Sequence, residues 1–416
     1  MIKIVRHSSN VRSSPEPLKR TARTGKGLAE NPIPVMNEKH EWKSSPKRIL
    51  GLQYFLYFGV LGIYLPYFNL YCYHLDFTGF QIGVMSAVRT VTTVLFPLVW
   101  GAVADHFQIR KPVYILCNFI SCLIWALFLF TTDFRLMLLI CLFYGIFYSP
   151  VISFLEAFTM DVLGNRKEQY GRIRVWGSIN FILFVVLIGR LIDLQSVDII
   201  IPWILAGSSI QAVLAIRIPD TALHQKGSFG PGARVLLQPR LLIFLTAAFL
   251  MLLSHGTYYG FFSIHLEKLG YGKTFIGITW GLASVAEIVT MMKSDAIFRK
   301  ISMEKVLVAA FLTAVIRWLI LCFADSAAVI LASQLLHALT YGAFHIASIL
   351  YIDQFIPSEA KTFGQAVNNA VTYGLGMTVG FLINGMFYDQ IGSSWLFAAS
   401  ALVALIGGGL MCIKAK

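Results

Sequence analysis

Twelve apolar stretches, each long enough to cross a bilayer, run from Leu50 to Cys412 and are separated by short polar breaks. About 20 apolar residues at a rise of about 1.5 Å per residue span a hydrocarbon core of about 30 Å as a helix. The composition agrees, because 13% of the residues are charged, whereas soluble domains contain roughly 25%. We therefore predict an all-α membrane protein with 12 transmembrane helices.

Two ionisable residues lie deep inside these stretches, Glu287 in the eighth and Arg317 in the ninth. A charged side chain near the middle of a spanning helix costs roughly 2.5–3.5 kcal/mol on insertion scales. Such residues are usually kept because a solute or a proton uses them. The combination of many spans with buried charges favours a transporter.

The 34 Lys and Arg residues are divided unevenly between the two sides of the predicted membrane. If the spans alternate from a cytoplasmic N-terminus, 28 of these residues lie on the cytoplasmic side and 4 on the other side. Because cytoplasmic loops carry the excess of positive charge, both termini are predicted to face the cytoplasm from the cell (inner) membrane. The same rule explains the net charge of +13, so no nucleic-acid partner is expected.

A longer polar connection after the sixth span divides the chain into two halves. We predict a disordered basic tail at residues 1–48, six-helix halves at 49–217 and 241–416, and a cytoplasmic linker at 218–240. The halves are similar in sequence, since a shift of 194 residues sets Phe68 on Phe262, Ile82 on Ile276 and Gly83 on Gly277. Parallel repeats of this kind place the solute site in a cavity between the halves.

Signatures of the common enzyme classes are missing from the sequence. It has no Gly-rich phosphate loop, no His-Glu-x-x-His and no Gly-x-Ser-x-Gly, and its six cysteines form no Cys-x-x-Cys. Nucleotide, metalloprotease and serine hydrolase chemistry are therefore disfavoured. We predict that the protein is not an enzyme and that it binds no metal.

The connection after the second span reads Gly101-Ala-Val-Ala-Asp105-His-Phe-Gln-Ile-Arg110-Lys111. It resembles the Gly-x-x-x-Asp-(Arg)-x-x-x-Arg-Lys signature of the major facilitator superfamily, with a histidine in place of the first arginine. This resemblance implies twelve helices in two six-helix pseudo-repeats. It also implies that the charges of this loop lock the halves together by pairing when the protein is open to the outside.

Charged and aromatic residues in the later spans extend the resemblance over roughly residues 49–413. The matching strings are Leu155-Glu156-Ala-Phe, Tyr170-Gly-Arg172-Ile-Arg174-Val-Trp176-Gly, Tyr258-Tyr259-x-Phe261-Phe262, Ala286-Glu287, Arg317-Trp318 and Leu336-His337-Ala-Leu-Thr340-Tyr-Gly-Ala-Phe344-His345. They resemble the lactose permease-like and phenylpropionate permease family. The resemblance implies proton-coupled symport of a small solute.

Site residues follow from these matches. The resemblance implies that Glu156 and Arg174 form a charge pair at the solute. Glu287 is expected to carry the proton, because burial in an apolar helix favours the neutral form of a carboxyl group. Arg317 keeps its proton and is expected either to compensate Glu287 or to bind a substrate carboxylate. The other expected site residues are Tyr258, His337 and Asn368.

One position departs from the lactose permease pattern. Three residues after His337, lactose permease carries an acid that holds the transported proton, whereas this chain has Thr340. Either Glu287 or Glu156 takes the proton, or the protein is a uniporter or an exchanger. Arg89, in the second span, is left with two possible roles, a charge in the cavity or a partner in the gate.

Taken together, these patterns predict a monomeric permease in the lipid bilayer. It is expected to import a small solute with a proton by alternating access, and an aromatic monocarboxylate such as phenylpropionate is favoured. The proton gradient is the expected energy source, and no cofactor is expected. The alternatives are sugar or nucleoside symport, drug efflux, and a nutrient sensor of the same fold that does not transport.

Overall fold

The computed structural model describes residues 46–221 and 236–413, and both segments are almost wholly helical. Eleven helical stretches within them are long and apolar enough to cross a membrane. They are α1 Pro46–His74, α2 Gly79–Phe107, α3 Arg110–Leu129, α4 Phe134–Leu163, α5 Lys167–Leu194, α6 Val197–Ala215, α7 Pro239–Lys268, α8 Lys273–Met292, α9 Met303–Phe323, α10 Ala327–Phe355 and the stretch Lys361–Met411.

The stretch Lys361–Met411 consists of two helices. Its 51 residues are divided at Gly392, whose φ of 74° and ψ of 170° are not helical. Glycine adopts this backbone conformation without steric cost because it has no Cβ atom. We name the two parts α11 (361–391) and α12 (393–411), and with them the described residues contain the twelve membrane-length helices that the sequence predicts.

The predicted tail and linker lie largely outside the described residues. The last residues of the predicted tail and of the predicted linker are helical, because α1 begins at Pro46 and α7 begins at Pro239. Proline suits the first turn of a helix, because that turn has no partner for the missing N–H group. Both helices therefore begin two or three residues earlier than the predicted boundaries.

The helices α1 and α7 lie at the centre of the molecule. In an apolar 18-residue stretch of each helix, 61% of the residues of α1 and 67% of those of α7 are buried inside the protein, a larger share than in the other membrane-length helices that the structure describes. The outer helices expose large apolar side chains such as Leu123, Leu312 and Leu402, as expected for surfaces that face lipid. The interior between α1 and α7 is therefore where polar residues can be kept from lipid.

The two halves are joined on one side of the molecule. We call the side where α1 begins the terminal face and the opposite side the distal face. Hydrogen bonds join the two halves at the distal parts of their helices. Tyr67 and Asn69 donate to the carbonyl oxygens of Lys273 and Gly260, and His74 is bonded to Glu267. The N–H group of Gly79 donates to Asp389, and those of Lys273 and Thr274 donate to Asp193. The halves are thus closed together at the distal face and separate toward the terminal face.

Two equivalent contacts, which we call the distal latches, close this face. In one, Asp193 at the end of α5 accepts hydrogen bonds from the backbone N–H groups of Lys273 and Thr274, at 2.7 and 2.8 Å. In the other, Asp389 at the end of α11 accepts from the N–H group of Gly79, at 2.9 and 3.1 Å. Each carboxylate therefore caps the first turn of a helix in the other half.

Glycines allow the backbones to meet beside each latch. A Cβ atom on Gly83 would lie too close to the carbonyl oxygen of Phe381, and one on Gly277 too close to that of Val185. Gly83 and Gly277 are the pair that the shift of 194 residues aligns. The repeat in the sequence therefore corresponds to a repeated contact between the halves.

We expect the double variant Asp193→Ala, Asp389→Ala to populate the state open at the distal face. Loss of one capping side chain costs about 0.5–2 kcal/mol, so loss of both should move the conformational equilibrium by about 5-fold or more. The measurement is the labelling rate of a cysteine placed at Ser178, a cavity residue, by an impermeant maleimide added at the distal face.

Asp133→Ala is the matched control for the latches. Asp133 caps the start of α4 by accepting from the N–H groups of Arg135 and Leu136, and this cap lies at the distal face within one half. Its removal should lower stability without changing the labelling rate. Equal labelling of the double variant and the wild type would show that the two carboxylates do not hold the distal face closed.

Candidate functional site

A cavity of about 580 Å³ lies between the two halves. Four helices of each half contribute to its walls, namely α1, α2, α4 and α5 from the first and α7, α8, α10 and α11 from the second. These sets are equivalent under the repeat. A volume of this size is typical of sites for small organic molecules.

Aromatic rings cover much of the cavity wall. On the first half, Tyr57 stacks on Tyr148, with ring centroids 5.2 Å apart, and Tyr148 stacks on Tyr144 at 4.8 Å. On the second half the lining includes Tyr258, Tyr259, Trp280, Tyr341, Tyr373 and Phe381. Such surfaces favour a ligand with a flat apolar part, and the tyrosine hydroxyls add sites for hydrogen bonds.

Wide helical turns bring two of these rings to the cavity. The segments Ala338–Ala343 in α10 and Ala370–Gly376 in α11 are π-helical. Turns of this kind are rare and occur often at functional sites. They carry Tyr341 and Tyr373, which both line the cavity, and Tyr373 is hydrogen-bonded through its hydroxyl to Nδ1 of His345 at 2.6 Å.

The first half contributes two guanidinium groups to the lining, those of Arg89 and Arg174. The Cζ atom of Arg174 lies 3.7 Å from the centroid of the Phe58 ring, and that of Arg89 lies 5.1 Å from the centroid of Tyr64. A cation over an aromatic face is stabilised by the quadrupole of the ring. Both arginines are thereby held against α1 with their charges directed at the cavity.

The second half contributes Glu287 and His337 to the lining. Nε2 of His337 lies 3.7 Å from Oε2 of Glu287. The carboxyl side chain is 24% exposed and the imidazole 5% exposed. Among the described residues of the lining, Glu287 supplies the one carboxyl group.

Arg317 lies behind His337 and is fully buried. Its Nη1 atom donates to Nδ1 of His337 at 2.9 Å and to the Thr340 hydroxyl at 3.3 Å, and its Cζ atom lies 4.3 Å from the centroid of the Tyr258 ring. Arg317 and Glu287 make no direct contact, because the imidazole of His337 stands between them.

Gln334 is a site residue that the sequence analysis missed. Its Oε1 atom accepts from Nη2 of Arg317 at 3.0 Å and from the hydroxyl of Tyr258 at 3.1 Å. Its amide nitrogen donates to the carbonyl oxygen of Ile330 and to the hydroxyl of Ser333, which fixes the orientation of the amide. A glutamine inside a membrane span, three residues before His337, was the available signal.

Glu156 and Arg174 are not paired in this structure. Within the described residues no carboxylate lies within 4.0 Å of the Arg174 side chain, and Glu156 is exposed and does not line the cavity. The guanidinium group packs instead on Phe58. The expected charge pair at the solute is therefore replaced by a cation on an aromatic ring.

Asn368 does not face the cavity either. Its side chain is buried, and Oδ1 accepts from the hydroxyl of Thr372 in the next turn of α11, at 3.1 Å. The π-helical segment Ala370–Gly376 begins directly after it and changes the angular spacing of the residues that follow. The prediction that Asn368 belongs to the site was made without this turn and is not realised.

The loop after α2 does not pair the two halves in this conformation. Nη1 of Arg110 pairs with Oδ2 of Asp161 at 2.6 Å, within the same half. Among the described residues, Asp105 and Lys111 form no ion pair, and a Cβ atom on Gly101 would meet nothing within 4 Å. The lock between the halves is thus not formed, in keeping with halves that separate toward the terminal face.

Comparison with known proteins places the chain among transporters. Residues 48–399 match the MFS_1 like family. A probable 3-phenylpropionic acid transporter of Escherichia coli (strain K12) is 27% identical over 365 residues, which cover 86% of this chain and 96% of that protein. A maltose permease of Geobacillus stearothermophilus is 24% identical over 392 residues, which cover 92% and 98%.

A solved structure of the nucleoside transporter NupG, in a mutant form, superimposes with a TM-score of 0.81 at 17% identity, over 88% of this chain and 99% of that one. At this identity the likeness concerns the fold.

Proposed function

Because the chain belongs to the MFS_1 like family, and is therefore a multi-pass membrane transporter and not an enzyme, we propose that it imports a small aromatic monocarboxylate together with one proton. Transport proceeds by alternating access, as a monomer and without a cofactor. The similarity to a probable 3-phenylpropionic acid transporter supports this choice of substrate.

The observation that carries the proposal is the charge balance of the cavity. Its described lining holds the guanidinium groups of Arg89 and Arg174 on one side and the one carboxyl group, that of Glu287, on the other, among many aromatic rings. When Glu287 is protonated, the two guanidinium groups give the wall two positive charges, whereas an ionised Glu287 leaves a net charge of one, so protonation strengthens the attraction for an organic anion. The same site can therefore hold one carboxylate and one proton together.

The orientation follows from the basic residues. With the positive charges in the cytoplasm, both termini and the terminal face lie on the cytoplasmic side. The conformation described above is then open to the cytoplasm and closed by the distal latches toward the outside. This is the state from which solute and proton leave during import.

Sugars and nucleosides are the rival substrates, because a maltose permease and the nucleoside permease NupG are among the relatives of this chain. The membrane potential separates the two classes. A monoanion with one proton is neutral, whereas a neutral sugar with one proton carries one positive charge, worth about 2.3 kcal/mol per 100 mV.

The test is uptake of 3-phenylpropionate into proteoliposomes, with the pH gradient and the potassium diffusion potential set independently. We expect uptake to follow the pH gradient and to be insensitive to the potential. Uptake of a sugar or nucleoside that responds to both, with no response to the aromatic acid, would refute the proposed substrate class.

A further inference from the structure

Arg89 brings a positive charge to the cavity wall without a carboxylate beside it. Arg174 also lines the cavity, on the same side as Arg89. Among the described residues, no carboxylate lies within 4.0 Å of the Arg89 guanidinium group, and its neighbours are the rings of Tyr64 and Phe381. A guanidinium ion in such a place needs an anion.

Unused hydrogen-bond donors lie on the same side of the cavity. Tyr144 and Ser149 are lining residues, and their hydroxyl oxygens are buried and have no hydrogen-bond partner among the described residues. The ring of Tyr144 lies 6.2 Å from that of Tyr64, over which Arg89 is held. Buried hydroxyl groups are seldom left unbonded, so they point to a ligand with acceptor oxygens.

The position of Arg89 is deep in the cavity. It lies in the distal half of α2, whereas Arg174 lies near the terminal end of α5. The Cζ atom of Arg89 is 5.9 Å from the ring centroid of Phe381, the residue whose carbonyl oxygen meets Gly83 beside a distal latch. An anion at Arg89 therefore binds directly under the contact that closes the distal face.

We infer that Arg89, with the hydroxyl group of Tyr144, binds the carboxylate of the substrate, while Arg174 serves the charge balance nearer the cavity mouth. The inference rests on the proposed function and adds the ligand of the anionic group to it. The aromatic part of the substrate then lies along the stacked rings of Tyr57 and Tyr148. Specificity for acids over neutral analogues depends on Arg89.

The test measures the binding of 3-phenylpropionate and of its neutral amide, 3-phenylpropionamide, to the purified full chain by equilibrium dialysis. We expect Arg89→Gln to weaken binding of the acid by about 10- to 100-fold, because a charge-assisted hydrogen-bonded pair is lost. Binding of the amide should stay within about 3-fold, since it makes no ion pair. Tyr144→Phe should weaken binding of the acid by about 3- to 10-fold.

Arg174→Gln is the competing variant, because Arg174 is the other guanidinium group of the described lining, and the thermal melting of each variant in detergent establishes that it is folded. A preference for the acid that survives Arg89→Gln but disappears in Arg174→Gln overturns the inference and leaves the proposed function intact. If the wild type prefers neither compound and instead binds a sugar or nucleoside, the proposed function fails and the inference fails with it. A preference that Arg89→Lys restores in part supports the inference.

Discussion

Uptake driven by a pH gradient is expected to fall to the level of empty liposomes in Glu287→Gln. Glu287 supplies the one carboxyl group in the described lining of the cavity, and a glutamine resembles its protonated form in shape and charge. Exchange of labelled for unlabelled substrate needs no net proton release, so counterflow should persist. The measurement is uptake of 3-phenylpropionate with an acid exterior, next to counterflow at equal pH.

Glu156→Gln is the matched control for this prediction, because Glu156 is exposed and lies outside the lining. It should retain most of the coupled uptake. The opposite pattern, with Glu156→Gln uncoupled and Glu287→Gln normal, would identify Glu156 as the proton carrier. Normal uptake in both single variants and in the double variant would leave uniport or exchange as the mechanism.

The sequence predicts well what depends on length and on residue type. The twelve helices follow from apolar stretches, since the bilayer sets the length of each span. Glu287, His337, Tyr258 and Arg174 come together in one cavity, because polar groups inside spans must avoid lipid. Their selection needed no knowledge of side-chain conformations.

What depends on local helix geometry was not predictable. A π-helical turn adds about one residue per turn without a recognisable sequence signal, and the two such turns set the angles at which α10 and α11 face the cavity. Asn368 lies just before the second of these turns, and a polar residue in mid-span does not by itself show which face of the helix it occupies. The side chain of Arg174 contacts Phe58 and not Glu156. A long side chain can reach either residue, so the sequence does not show which of the two it contacts.

The position of the proton on the neutral ring of His337 indicates whether this residue carries a proton or only links Arg317 to Glu287. A guanidinium group has donors only, so Nδ1 of His337 accepts from Arg317, and the proton of the neutral ring is on Nε2, which faces Glu287. A second proton on Nδ1 would confront the guanidinium group. We therefore expect His337 to link Arg317 to Glu287 and not to carry a transported proton itself.

His337→Gln is accordingly expected to retain coupled uptake within about 10-fold of the wild type, whereas His337→Leu is expected to lose it, because the buried guanidinium group of Arg317 then loses one of its acceptors. Glutamine offers one acceptor to Arg317 and one donor to Glu287, as the neutral imidazole does, and leucine offers neither. His255→Leu controls for the loss of a buried histidine, since Nδ1 of His255 contacts the Met251 carbonyl of its own helix and the residue does not line the cavity.

Because glutamine cannot ionise, loss of uptake in both His337 variants with a normal His255 variant would mean that His337 itself carries the proton. Retention in His337→Gln alone would leave Glu287 as the carrier and the neighbouring charge of Arg317 as the reason that it can release its proton to the cytoplasm.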